Sequence, residues 1–172
     1  MAQPFERPWS ACPGDALGRG DTSLLKQTSL AVVGARACTS YGTYVTADLV
    51  GGVCASGITI VSGAAYGIDA VAHRAALAAE APTIAVLAGG VDRPYPSAHG
   101  SLLEKIALTG AVCSEVVPGT APTRWRFLQR NRIIAALARA TLVTEAGLRS
   151  GSLNTAGHSA EIGRPSERFP AP

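Results

Sequence analysis

Five short apolar runs punctuate this chain, and each is followed by an Ala-rich stretch with helical spacing. The runs are Ser29–Gly34, Ile58–Gly63, Thr83–Gly89, Ala111–Val116 and Thr141–Ala146. They are apolar almost throughout and do not alternate with polar residues. That pattern fits strands covered on both faces of a parallel sheet. The intervening periodicity predicts helices over about 41–56, 69–80, 98–109, 127–139 and 153–162. Successive βα units pack most simply as an α/β fold, a doubly wound, mostly parallel sheet with helices on both faces. With 172 residues, 47% of them apolar, one core of ordinary size can be filled. Residues 1–28 are rich in Pro, Gly and polar side chains and are expected to form an irregular lead-in. The core is expected over 29–163, and 164–172 read as a polar, Pro-rich tail.

In such a sheet, ligands sit beyond the C-terminal ends of the strands, where loops enter helices. Gly34 follows the first run and allows a tight turn, with Arg36 placed for a bidentate phosphate contact. No GxGxxG follows this run and no acidic residue ends the second, so a dinucleotide cofactor is disfavoured. The second loop holds Gly63 and Gly67, then Asp69 as a candidate N-cap, with its helix-start N–H groups open to an anion. Asp69 and His73 share a helix face, which reads as a cap and a partly buried histidine more readily than as an acid–base pair. The fifth loop carries Ser150, Gly151 and Ser152 ahead of a helix, offering hydroxyls and N–H groups to a phosphate. It lacks the Gly-Lys-Ser/Thr of a nucleotide-hydrolysing loop. No catalytic residue and no cofactor is expected.

Charge is unevenly distributed. Net charge is +3, yet no Asp or Glu occurs between Glu115 and Glu145, where Arg124, Arg126, Arg130, Arg132 and Arg139 cluster. A basic block on a near-neutral chain points to one anionic partner. Arg126, Arg130 and Arg132 are interleaved with Trp125 and Phe127, and Asn131 can reach a base edge. Cations for phosphates and rings for bases are what a single-strand binder needs. Arg130 and Arg132 fall on different sides of a helix. The cysteines form no CxxC pair and no zinc spacing, so no metal is expected and a reducing compartment is. No run reaches the 18 or so apolar residues of a membrane span, nor does the beginning read as a signal peptide.

Taken together, the segments VVGARACTSYG, SGAAYGIDAVAHRAAL, AGGVDRPYPSAH, SEVVPGTAP, FLQRNRIIAAL and VTEAGLRSGSLNTAGHSAEIGRP resemble the DprA/Smf family of DNA-processing proteins, in order and spacing. The resemblance implies a Rossmann-like, cytoplasmic, non-enzymatic protein that binds single-stranded DNA. It implies protection of incoming strands in natural transformation, loading of the RecA recombinase, and a homodimer. The family's pocket maps onto Arg36, Arg126, Phe127, Arg130, Asn131, Arg132 and the Ser150–Gly151–Ser152 turn. Leu128 and Gln129 depart from the family pattern, as do Ser97 and Asn154. After Gly163 the family continues into a final buried strand, whereas RPSERFPAP is polar. The tail is therefore expected to supply no central strand and to leave the fifth strand's edge open, as in a truncated member without the helical N-terminal and winged-helix domains. The family's dimer and RecA contacts lie largely in that late part, which this tail does not match. Two other readings are a nucleotide phosphoribohydrolase of the LOG type, whose PGGxGTxxE run is not matched by 145–152, and a remnant without function.

Overall fold

The computed structural model describes residues 10–11, 17–148 and 150–169. Among these residues eight strands form one sheet: β1 (Ser10–Ala11), β2 (Leu17–Gly20), β3 (Ser29–Val33), β4 (Thr59–Ser62), β5 (Thr83–Val86), β6 (Ala111–Ser114), β7 (Ala140–Val143) and β8 (Ser166–Arg168). Five helices connect them: α1 (Ser40–Ala55), α2 (Ile68–Ala78), α3 (Gly100–Thr109), α4 (Arg124–Leu137) and α5 (Ser152–Glu161). The sheet order is β1-β2-β6-β5-β4-β3-β7-β8. From β3 to β8 every pairing is parallel, while β1 and β2 join as antiparallel strands on β6. The expected doubly wound α/β fold is present.

Strand residues alternate between two apolar layers, which is why the runs are mostly apolar, with buried Ser or Thr residues such as Ser29, Ser62 and Thr83 near the strand ends. Ala31, Val33, Val61, Ile84, Val86 and Cys113 pack with Ile134 and Ala138 of α4 and its end, and with Leu24 and Leu25. Val32 and Ile60 face the other side with Val50, Ile68 and Ala72, and Ala85 and Val112 with Leu102 and Ile106. Each fully buried aliphatic side chain contributes on the order of 1.5–3 kcal/mol. Chain direction across the sheet matters for function. Each βα unit from β3 to β6 adds its strand on the same side. α4 then crosses back over β5, β4 and β3, and β7 lands on the other side of β3. Strand order reverses between β3 and β7, and their diverging loops open a crevice there.

Both ends of the chain differ from the sequence expectation. The lead-in is not irregular where it is described: β2 pairs with β6 over Leu17–Gly20, and a 3-10 helix at Thr22–Lys26 buries Leu24 and Leu25. LGRG has too little apolar periodicity to read as a strand, but β6 offers it an open ladder. Residues 1–9 and 12–16 of the expected lead-in, with Cys12, lie outside the described residues, as do 170–172 of the tail. The tail does supply a strand, though at the edge and not in the centre. β8 pairs with β7 from Thr141↔Ser166 to Val143↔Arg168 and covers the edge expected to be open. Its side chains are exposed, so backbone pairing needs no apolar residues there. Arg164 fastens this return by donating from Nη1 to the Ala135 carbonyl at 2.8 Å, at the end of α4.

Candidate functional site

A cleft of about 430 Å³ lies at the β3/β7 reversal. Its walls come from the loop after β3, the loop after β7 with the start of α5, and the N-terminal half of α4. Gly34, Arg36, Phe127, Arg130, Asn131, Ser150, Gly151 and Ser152 all line it, so most of the residues singled out in the sequence converge. Thr155 and Asp69 line it as well.

Three glycines make the approach possible. A Cβ at Gly34 would lie 2.5 Å from the Ile68 side chain and 2.6 Å from the Glu145 carbonyl. At Gly67, φ is +75°, and the loop passes against the Arg36 carbonyl. Ile68 N–H then donates to the Ala35 carbonyl at 3.1 Å, holding the Arg36 turn against the start of α2. Gly63 leaves room for Arg130.

Helix α4 begins at Arg124, three residues before the expected start, because Thr123 caps it by accepting the Arg126 N–H at 3.3 Å. Its inward stripe changes character along its length. Ile134 and Ala135 face the core, whereas Arg130 and Asn131 are buried at the cleft. Arg130 is only 4% exposed. Its Nη1 donates to the Gly63 carbonyl at 2.8 Å and to the Val86 carbonyl, and its Nε to Asn131 Oδ1 at 3.3 Å. Burial pushes its pKa down to about 10, against the pull of the Asp69 carboxylate, so it is charged at neutral pH. Asn131 in turn donates to the Gly151 carbonyl and to Asn154 Oδ1, both at 3.2 Å, and thereby sets the Ser150–Ser152 turn. Asn154, a departure from the family pattern, has a structural task here.

Phe127 forms the mouth of the cleft. The guanidinium carbons of Arg36 and Arg130 lie 5.3 and 5.8 Å from its ring centroid, within cation–π range. Tyr95 packs on the same ring at 5.3 Å between centroids. Arg36, Tyr95, Arg124, Phe127 and Gly151 also line an adjoining groove, which extends the site outward. Sequence reasoning missed Tyr95. The YP pair after the Gly-rich loop was visible, but nothing in the sequence brings that loop against α4.

Two expected residues stand apart from the cleft. Arg132 is exposed and paired with Glu115 on another side of α4. Arg126 donates from Nη1 to the Ala121 carbonyl at 2.9 Å and braces the loop before α4. The expected open N–H groups are also already engaged. Asp69 is not the N-cap of α2, which is Gly67. It is the second residue of the helix, and its Oδ2 accepts N–H groups from Gly63 at 3.1 Å and Ala65 at 3.4 Å. A carboxylate has taken the place an anion would fill. At α5, Ser152 N–H donates to Ser150 Oγ, and Leu153 and Asn154 N–H to the Ser150 and Gly151 carbonyls. The first turn closes tightly on itself, leaving the Ser150 and Ser152 hydroxyls, 2.6 Å apart, as its polar groups. His73 is fully buried, beyond the partial burial expected, and does not line the cleft. Glu145, 9% exposed, accepts from Thr39 N–H at 3.0 Å and Thr39 Oγ–H at 2.9 Å, tying the loop after β7 to the start of α1.

The family described as DNA recombination-mediator protein A matches this chain over residues 11–171. The chain belongs to this family. It is 51% identical over 157 residues to a DprA relative from Mycobacterium tuberculosis, covering 91% of this chain and 40% of that one. It is 44% identical over 146 residues to DNA processing protein DprA of Streptococcus pneumoniae, covering 85% and 51%. The chain thus spans about half or less of the length of these curated relatives. The solved structure of the Streptococcus pneumoniae protein superposes with a TM-score of 0.87 at 41% identity, over 91% of this chain and 55% of that one. The Helicobacter pylori DNA processing protein A, solved for its single-stranded DNA binding mode, gives 0.86 at 30% identity, over 98% and 75%. A molybdenum cofactor binding protein at 16% identity and a TM-score of 0.62 shares the fold alone. Among the described residues no helix is long and apolar enough to cross a membrane.

Proposed function

We propose that this chain binds single-stranded DNA across the cleft between β3 and β7, as the DNA-holding core of a recombination mediator. One observation carries the reading: two guanidinium groups and a second aromatic ring converge on Phe127 at the mouth of a crevice lined by small polar groups. Rings stack any base and cations hold the backbone, so such a mouth favours strands whose bases are unpaired. A duplex hides its base faces and gains only the phosphate contacts. The single-stranded DNA binding named for the Helicobacter pylori relative supports the same class of ligand.

The chain acts by binding, without turnover. The Ser150 and Ser152 hydroxyls bond to each other, and neither buried histidine, His73 nor His99, lines the cavity as a base for them. Family membership supports a cytoplasmic role in which the bound strand is protected and passed to RecA, with a second copy of the chain as partner. The test is a fluorescence anisotropy titration with a labelled oligo-dT strand, with the matching duplex, and across salt. Salt-sensitive binding that prefers the single strand is expected. Equal affinity for duplex, or no binding by a sample with a cooperative thermal transition, would overturn the reading.

A further inference from the structure

The floor of the cleft carries a carboxylate, an unusual lining for a site that faces a polyanion. Asp69 is 6% exposed and lines the cavity, and both of its backbone hydrogen bonds go to Oδ2. Beside it lies the buried Arg130 guanidinium, with Nε and Nη1 committed to Asn131, Gly63 and Val86. Among the described residues, the depth of the cleft therefore holds one positive and one negative charge, close to neutral in sum. A phosphate pushed to that depth would lose its hydration and meet the carboxylate. A neutral heterocycle pays neither penalty. Among the described residues the exposed cations stand further out, with Arg36 at the mouth and Arg124 along the adjoining groove.

We infer, building on the single-strand reading above, that the deep cleft receives a nucleobase turned in from the strand while the phosphates stay at the Arg36 rim, and that Asp69 selects bases carrying an exocyclic amino group. Asp69 Oδ1 accepts from an amino group such as N4 of cytosine, a pairing open to carboxylates. Thymine shows the carboxylate two carbonyls flanking its single N–H, and those oxygens repel it. Phe127 and Tyr95 stack neighbouring bases at the mouth, so the strand is gripped at base faces outside and at one base edge inside.

The test compares oligo-dC with oligo-dT of equal length at pH 8, and an oligo-dC strand carrying abasic sites, on the parent chain and on Asp69→Asn. Asn keeps an oxygen for the Gly63 and Ala65 N–H groups and turns the other position into a donor; a thermal transition verifies that it folds. The parent is expected to bind dC about tenfold more tightly than dT, the value of one good base contact. Abasic sites are expected to weaken binding about 5- to 100-fold, the value of one stacked base. Asp69→Asn is expected to bring dC and dT within about twofold of each other. If Asp69→Asn instead tightens both strands alike and steepens the salt dependence, a phosphate occupies the cleft and the inference is overturned. Parent binding that ignores both base identity and abasic sites overturns it too, while leaving single-strand binding intact. Failure of the parent to bind any strand overturns both readings. Should Asp69→Asn not fold, the dC, dT and abasic comparison on the parent still decides.

Discussion

Arg130 and Gly63 are built around each other. The Arg130 Nη1 donates to the Gly63 carbonyl at 2.8 Å, and a Cβ on Gly63 would lie 2.6 Å from Nη2. A buried guanidinium thus rests on the one residue type with no side chain to displace it. Gly63→Ala should push Arg130 off both carbonyls and into the cleft. A buried charge that loses its acceptors costs about 1.5–3 kcal/mol per bond. Urea unfolding of Gly63→Ala should show a loss of at least about that size, together with weakened strand binding. An unchanged midpoint would mean that Arg130 repacks freely and does not shape the floor.

Arg36 and Arg132 lie in the same family-like pattern but should behave differently. Arg36 is exposed at the cleft mouth, 5.3 Å from the Phe127 ring, whereas Arg132 is paired with Glu115 away from it. Arg36→Ala should weaken oligo-dT binding and reduce the slope of log K against log[salt] by about 0.7, the value of one released single-strand contact. Arg132→Ala should leave both within error, and as a surface ion pair it should cost under about 1 kcal/mol of stability. Equal effects of the two substitutions would place the strand path along α4 and not across the cleft.

The contrast between those two arginines shows what the sequence could carry. The parallel sheet was legible because strands buried on both faces leave uniformly apolar runs, as at Ile60–Val61 and Ile84–Val86. The side of the sheet that carries the cleft was legible because ligands sit beyond the C-terminal strand ends, whereas the meeting of the loops after β3 and β7 follows from a strand order that the structure supplies. Arg130 and Arg132 could be told apart by helical angle, but which of them faces inward depends on where α4 lies on the sheet. β2 and β8 were not legible. They are held by backbone ladders at the sheet margins, and side chains such as Ser166 and Glu167 carry no trace of that pairing. Asp69 was read as a cap because an acidic residue beside a helix start usually is one. Gly67, with φ at +75°, shifts the helix start back and turns the carboxylate toward Gly63 and Ala65.

Tyr95 and Phe127 should act as a pair. Their rings lie 5.3 Å apart at the mouth, and Phe127 also sits under Arg36 and Arg130. Phe127→Ala should cost about 1–3 kcal/mol of strand binding, the usual value of one stacking ring. Tyr95→Ala should cost less alone, and a double-mutant cycle should give a coupling of about 0.5–1.5 kcal/mol, as for aromatic pairs in contact. Strict additivity in oligo-dT binding would mean that Tyr95 packs against the protein without touching the strand.

His73 gives the fold a dependence on pH whose sign follows from its surroundings. Thr83 Oγ–H donates to the Ile60 carbonyl at 3.0 Å, so Thr83 Oγ1 accepts from His73 Nδ1–H at 2.8 Å. The ring is thereby fixed as the Nδ1–H tautomer, and Nε2 is buried without a partner among the described residues. A proton on Nε2 would be a buried charge, so burial holds the pKa down at about 3, with the neighbouring His99, Arg130 and Arg74 adding to it. The unfolded chain takes up that proton near the ordinary value of 6.5. Between those two values the unfolded state binds more protons, so stability is complete above about 6.5 and falls as pH drops toward about 3. The slope from this one group approaches about 1.4 kcal/mol per pH unit. The buried Asp69 carboxyl, raised by desolvation, acts in the opposite sense above 3.8 and partly offsets it. Urea midpoints measured between pH 7 and pH 4.5 should therefore fall steeply for the parent chain. His73→Asn keeps a donor for Thr83 and removes the titration. Its midpoint should start lower at pH 7, because the ring's packing is lost, but should vary less with pH, and parallel curves for the two proteins would rule His73 out as the source.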